Sequence, residues 1–178
     1  QQANILLDFR AVHGEGTLAE ALADRVARLM PQAGLFLDEM GALLDEQPVA
    51  LDRFGRLSGS LDGAPHERAI NLKQQAVLPL VAAVRLLSLR HGVREVDTRE
   101  RLAVLVLKEA LPAETSRALT AALERLQGLL LEEQCRGVRS GRGADGWVDL
   151  SRLGEDQRLL LRHDLQQIRA LKRRARRG

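Results

Sequence analysis

Residues 76–89 read AVLPLVAAVRLLSL and are apolar around the whole circumference of a helix, except at Arg85 and Ser88. A helix that is apolar on every side is stable in water only when other elements cover every side. Pro79 is tolerated because it falls in the first turn, and Gly92 is a residue that commonly ends a helix. The stretch therefore predicts a central helix that is covered all round.

Segments before and after this stretch also repeat their apolar residues at helical spacing. A capping box, TLAE at 17–20, precedes the first of them, and Asp97 with Thr98 caps another. The predicted ranges are 17–30, 32–46, 98–110, roughly 26 residues from Pro112 onward, and a last helix from Ser151 or Glu155. Together with the central helix they predict an all-α fold, an antiparallel bundle of about five to six helices.

Two segments break the helical pattern. Residues 48–75 contain three glycines and two prolines, which predicts a loop excursion or a small hairpin that closes at AINL, residues 69–72. Near the beginning, NILLDFR at 4–10 is followed by Gly14 and Gly16, which predicts a short strand and a turn.

The composition excludes several classes of protein. Aromatic residues make up 2% of the chain, too few for the stacking platforms that bind single-stranded nucleic acid. The longest apolar stretch, 76–89, is too short to span a bilayer, and no signal peptide is recognisable. The single Cys135 excludes an internal disulfide. We therefore expect a cytoplasmic protein, and the start at Gln1 leads us to expect a piece of a longer chain.

The positive charge is concentrated at the end of the sequence. Six basic residues and no acidic one lie within 169–178, and without them the chain has 21 basic and 24 acidic side chains. Two interpretations stay open. The basic run either contacts phosphate groups or is the solvated end of a helix, where cations are favoured.

No motif in the sequence specifies a reaction by itself. The four histidines are far apart and show neither HxxxH nor HExxH spacing, so a metal site built on them is not expected. GxSxG and P-loop patterns are absent from the sequence. Candidate site residues must therefore be chosen by their surroundings.

Arg85 is the most informative candidate, because an unpaired guanidinium inside an apolar helix would be costly. It needs a carboxylate, a set of carbonyl oxygens or a bound anion such as phosphate. Glu132 or Glu133 would supply an internal ion pair, and a phosphate would make Arg85 a substrate-binding residue. Lys73 and Arg101 lie near the ends of neighbouring predicted helices and are further phosphate candidates.

Gln134 ends an apolar helix face together with Glu133. The pair is either a polar contact within the core or part of a substrate site. We take Lys73, Arg85, Arg101 and Gln134 as the predicted substrate-binding residues.

The order of motifs resembles a family of bacterial domains, the nucleotidyltransferase substrate-binding domains. The resemblance covers nearly the whole chain, and the segments that carry it are ILLDFR (5–10) with Gly14, NLK (71–73), LPL (78–80), VRLLSL (84–89), HGV (91–93), TRERL (98–102), LEEQ (131–134) and LS (150–151). In such proteins this domain follows a catalytic domain similar to the uridylyltransferases of PII signalling proteins, often together with CBS and cyclic-nucleotide-binding modules. The family usually has an aspartate where Asn71 stands.

The resemblance gives Asp8 a specific role. Nucleotidyltransferases of this kind hold two metal ions on three carboxylates, and LDF at 7–9 resembles the strand that supplies the third. Asp8 would then be both a catalytic residue and a Mg²⁺ ligand, although a carboxylate at a strand end also commonly bonds a turn amide. Residues 1–16 would be the end of the preceding nucleotidyltransferase domain, and 17–178 the helical substrate-binding domain.

The sequence thus predicts a substrate-binding domain that is not active alone and whose parent protein transfers a nucleotide from a nucleoside triphosphate to an acceptor. The acceptor is either a small molecule or a protein, such as the PII-like signalling protein that the resemblance implies. Membrane and nucleic-acid partners are not expected, and an oligomer is left open. The alternative is a non-catalytic helical module for interaction or signal relay.

Overall fold

The computed structural model describes residues 7, 9, 11–59, 61–141 and 143–177. Across these residues the chain forms six α-helices and two three-residue strands. In chain order they are α1 (Gly16–Leu29), α2 (Gly34–Glu46), β1 (Ala69–Asn71), α3 (Leu78–Arg90), α4 (Thr98–Leu107), α5 (Ala113–Arg139), β2 (Trp147–Asp149) and α6 (Glu155–Arg177). The prediction of an all-α bundle is confirmed.

Helix α3 is the centre of the fold, as its sequence predicts. It packs against α2, α4 and α6, and Leu80, Ala83 and Val84 on it are completely buried. A π-helical turn, Lys73–Val77, leads into it and also contacts α5. Gly92 ends the helix with a φ of +60°, a backbone conformation that residues other than glycine rarely adopt.

The capping-box prediction for α1 is wrong. The helix begins at Gly16 with Glu15 as its N-cap, and no side chain caps it. Thr17 lies inside the first turn, where its hydroxyl cannot serve as the N-cap acceptor. Helix α1 contributes no residue to the buried core and is fixed at its far end, where Arg94 donates to Asp24 at 2.9 Å.

The excursion predicted over 48–75 exists, but it closes elsewhere than predicted. Its tight turn lies at 51–57, where Leu51 and Leu57 form an isolated bridge and Asp52 accepts the amides of Phe54 and Arg56, both at 2.8 Å. Residues Ala69–Asn71 do not close a local hairpin. They pair with a strand almost eighty residues further along the chain, described below, which local sequence could not indicate.

Basic residues of α6 hold this excursion against the bundle. Arg162 Nε donates to the carbonyl of Gly55 at 2.7 Å, and Arg169 donates to the carbonyls of Leu51 and Asp52 at 2.7 and 2.8 Å. Such charge-assisted bonds satisfy carbonyl groups that no helix or sheet satisfies. The excursion is therefore a built part of the fold.

A half-buried ion pair joins α5 to α6. Arg125 donates twice to Asp164, with distances of 2.9 and 2.5 Å, and Asp164 is 2% exposed. The hydrogen bond that Arg125 donates to Asp164 raises the pKa of Arg125 above its ordinary value. The bidentate geometry compensates for the cost of burying the carboxylate.

The strand predicted over 4–10 falls largely outside the described residues. Leu7 lies in a turn and Phe9 in no regular element. Among the described helices, none is both long enough and apolar enough to cross a membrane.

We predict that Leu80→Asp unfolds most of the protein, because it places a carboxylate in a site with no exposure and no partner, at a cost of about 4 kcal/mol or more. The control is Leu78→Asp on the same helix, where the side chain is 45% exposed, and it should cost no more than about 1 kcal/mol. Urea titrations followed by far-UV circular dichroism measure both. Equal losses in the two variants would contradict the central position of α3.

Candidate functional site

The structure places the four predicted substrate-binding residues on separate elements. Lys73 is exposed in the π-helical turn, Arg85 is half-buried on α3, Arg101 is buried near the start of α4, and Gln134 is half-buried on α5. Arg85 lines a small cavity against α2, and none of the other three lines it. Asp8, the predicted catalytic and metal-binding residue, lies outside the described residues.

Glu133 and Arg101 each have a partner nearby in the chain. Glu133, a predicted partner for Arg85, forms its ion pair with Arg136 one turn further along α5. Arg101 Nε donates to the carbonyl of Glu95 at 2.7 Å and so helps to fix the segment before α4. The structure therefore does not gather Lys73, Arg85 and Arg101 around one cavity.

A short antiparallel ribbon of β1 and β2 forms a different candidate site. Its register pairs Ala69 with Asp149, Ile70 with Val148 and Asn71 with Trp147. Ile70 and Val148 are fully buried, so the centre of the ribbon is anchored in the core. The ribbon thereby fixes residues from two distant parts of the sequence beside the C-terminal half of α5.

Asn71 forms the link between the ribbon and α3. Its Oδ1 accepts the amide of Gln74 at 3.0 Å, and its own amide donates to Oε1 of the buried Gln75 at 2.9 Å. This is the pattern of an N-cap, which either Asn or Asp can supply. Asn71 can therefore cap the helix in the same way as the aspartate that the resembling family usually has at this position.

Beside the ribbon lies a cavity of about 380 Å³, which we call the ribbon cleft. Its walls come from the excursion, the ribbon, α5 and the end of the 3₁₀ turn Leu150–Arg152. The lining groups that can bind a ligand are His66, Glu133, Asp145, Trp147, Asp149 and Arg152. Trp147 is the only tryptophan of the chain.

Asp149 is the best-fixed polar group of the ribbon cleft. Its Oδ1 accepts the hydroxyl of Ser151 at 2.6 Å and the amide of Ser151 at 2.9 Å. His66 Nε2 and Arg152 Nε both lie 3.7 Å from its Oδ2. The bonds from Ser151, helped by these basic groups, hold the pKa of Asp149 below its usual range, so the carboxylate is ionised at neutral pH.

The wall that α5 contributes to the cleft depends on a close approach between the backbone of this helix and that of the following loop. A Cβ added to Gly137 on α5 would lie 2.2 Å from the carbonyl oxygen of Gly143. Only glycine permits the loop after α5 to pass this close before it enters β2.

The cleft presents several groups that can bind a ligand. Within the described ranges, no three histidine, cysteine or acidic side chains are arranged to hold a metal ion. One indole, one imidazole, one guanidinium and a fixed carboxylate instead offer stacking, hydrogen bonds and charge. Sequence reasoning did not select His66, Trp147, Asp149 or Arg152, although the lone tryptophan and the spacing of Asp149 and Ser151, typical of a cap, were visible signals.

Comparison with known proteins gives one match. The family model described as "Putative nucleotidyltransferase substrate binding domain" matches residues 34–178, from the start of α2 onward. Neither a curated protein nor a solved structure matches the chain significantly.

We predict that Gly137→Ala destabilises the protein by about 2 kcal/mol or more, because the added methyl group meets backbone that cannot retreat without moving β2. Gly128→Ala on the same helix is the control. Nothing lies within 4 Å of its added Cβ, so it should stabilise α5 by roughly 0.5–1 kcal/mol. Thermal melts give both values, and Trp147 fluorescence should change only in Gly137→Ala. Similar melting temperatures for the two variants would show that the loop after α5 can move to accept the methyl group, and would contradict the prediction.

Proposed function

This chain belongs to the family of nucleotidyltransferase substrate-binding domains, and from that membership we propose that its ribbon cleft holds the acceptor substrate of a nucleotide transfer. The catalytic groups would come from a preceding domain similar to the uridylyltransferases of PII signalling proteins. The acceptor would be a protein of the PII-like signalling class.

The observation that carries this proposal is a convergence in space. Three of the segments that carry the family resemblance, 71–73, 131–134 and 150–151, lie far apart in the sequence and meet at the ribbon and its cleft. Lys73 and Gln134 belong to these segments. Lys73 lies against the residue before β2, because a Cβ added to Gly146 would be 3.3 Å from the Cβ of Lys73. We therefore keep both residues as candidates for contact with the acceptor.

The cleft also has the composition expected for binding a protein segment. An indole beside an arginine and a fixed carboxylate is a common arrangement where proteins are recognised. Asp149 would accept hydrogen bonds from the acceptor, and Trp147 would pack on one of its side chains.

Asp8 and Mg²⁺ enter the proposal only through the family. The described residues provide no cluster that fits the metal. Asp8 would be one ligand of three, with the other two on the preceding domain, and the bound metal would supply charge stabilisation to the phosphoryl transfer.

A second candidate function, an interaction or relay module, is favoured by α1. This helix lies outside the matched range and leaves Leu18 and Leu22 71% and 52% exposed. Such a face is typical of a contact with another domain. The two functions differ in whether the ribbon cleft affects transfer of a nucleotide.

We predict that the 178-residue chain alone transfers no label from UTP or ATP with Mg²⁺ to any acceptor, because it contains at most one of the three required carboxylates. In the longer protein, Asp8→Asn should abolish transfer while the melting temperature stays unchanged, since the substitution is nearly isosteric. Efficient labelling by the chain alone would refute the assignment of Asp8.

We further predict that Asp149→Asn and Arg152→Gln raise the KM for the acceptor about tenfold each, with little effect on the KM for the nucleotide. Asn can still accept the bonds from Ser151, so the fold should be kept. Arg158→Gln, an exposed change on α6, is the control. Steady-state kinetics with a PII-like protein decide the matter, and an unchanged acceptor KM would favour the relay module.

A further inference from the structure

Another cavity, of about 590 Å³, lies beside the last turns of α6. The end of α3, the turn between α4 and α5, and the last turns of α6 form its walls. We call it the basic cleft, and its lining residues are Leu87, His91, Glu109, Ala110, Ala170, Arg173, Arg174 and Arg177. It shares no lining residue with the ribbon cleft.

The six basic residues at the end of α6 separate into two groups in the structure. Arg169 and Lys172 donate to carbonyl groups of the excursion and of Gln47, and Arg176 donates to Asp45 at 3.0 Å. These three residues hold the fold together. The other three, Arg173, Arg174 and Arg177, face the basic cleft.

Arg173 and Arg177 have no structural task that the described residues reveal. Neither forms a hydrogen bond or an ion pair with another described residue, whereas Arg174 Nε donates to the carbonyl of Ala110 at 3.0 Å. Arg174 is thus fixed in place, with its remaining guanidinium donors available to a ligand. Two cations without a partner among the described residues and one fixed cation line the same cavity.

The acidic side chains do not balance this charge. Glu109 is the one acid that lines the cleft, and within the described chain it makes no ion pair. Burial lowers the pKa of His91, and the positive charges of Lys108, Arg174 and Arg90 lower it further. Arg90 is itself paired at 3.3 Å with Asp38, which does not line the cleft. Cationic side chains therefore outnumber acidic ones around His91.

Helix dipoles and Glu109 offset only part of this charge. The C-terminal ends of α3, α4 and α6 all lie at the cleft, and each carries a partial charge of about −0.5. Three guanidinium groups from α6 and the nearby Lys108 exceed these partial charges and the carboxylate of Glu109 together. The excess points to an external anion.

We propose that the basic cleft binds a small oligophosphate, either free pyrophosphate or the phosphate chain of a nucleotide. One guanidinium group can donate to two phosphate oxygens at once, and three guanidinium groups suit a ligand with several charged phosphates. The cavity volume lies within the range of small-molecule sites. The inference rests on the basic cleft alone and is independent of the function proposed for the ribbon cleft.

The binding test is calorimetric titration of the protein with pyrophosphate. The double variant Arg173→Gln/Arg177→Gln removes two exposed charges and should weaken binding at least about tenfold, as expected for the loss of charge-assisted bonds. The control, Arg117→Gln/Arg158→Gln, changes the net charge equally at exposed positions that do not line the cleft, and it should change the affinity less than about twofold. Equal weakening in both variants, or none in either, overturns the proposal.

A second measurement locates the ligand. Bound pyrophosphate adds negative charge beside His91, so the pKa of His91 must rise, while the exposed His163 on α6 serves as the internal reference. Proton NMR titrations with and without pyrophosphate give both values. A rise confined to His91 supports the site, and an unchanged His91 or an equal rise at His163 overturns it.

Parallel titrations identify the form of the ligand. If UTP or ATP binds more tightly than pyrophosphate and the double variant weakens it equally, the cleft holds a nucleotide through its phosphates. If the nucleotides bind no more tightly than pyrophosphate, the site recognises the phosphate chain alone. Binding of uridine or adenosine without phosphates, unaffected by the double variant, would contradict the proposal.

Discussion

The fold depends on the burial of α3, most of whose apolar side chains lie in the core. Because this helix has almost no polar face, other elements must cover most of it, and α2, α4 and α6 do so directly. Helix α5 packs against α4 and α6 and closes the bundle. Burial of the apolar side chains on α3 is the main favourable term, and it leaves the outer faces of the surrounding helices available for other tasks.

Those outer faces are used mainly by charged residues, most clearly on α6. Arg162 and Arg169 hold the excursion through carbonyl groups, and Arg125 reaches Asp164 from α5. Once the excursion is fixed, it forms one wall of the ribbon cleft. The same helix then directs its last arginines toward the basic cleft. One helix thus stabilises the excursion and contributes to a binding surface.

The two clefts differ in electrostatic character. The ribbon cleft combines a fixed carboxylate, an imidazole, a guanidinium and an indole, and this mixture suits a polypeptide with varied side chains. The basic cleft has an excess of positive charge and suits an oligophosphate.

The sequence by itself determined the helices, the central position of α3 and the cap at Asp97, because these follow from periodicity and from contacts within a few residues. It also carried the family resemblance. Only the tertiary structure decided the partners of charged side chains and the pairing of β1 with β2. Arg173 and Arg176 look alike in sequence, yet one faces a cleft and the other binds Asp45. Such outcomes depend on packing between distant segments, which local sequence does not encode.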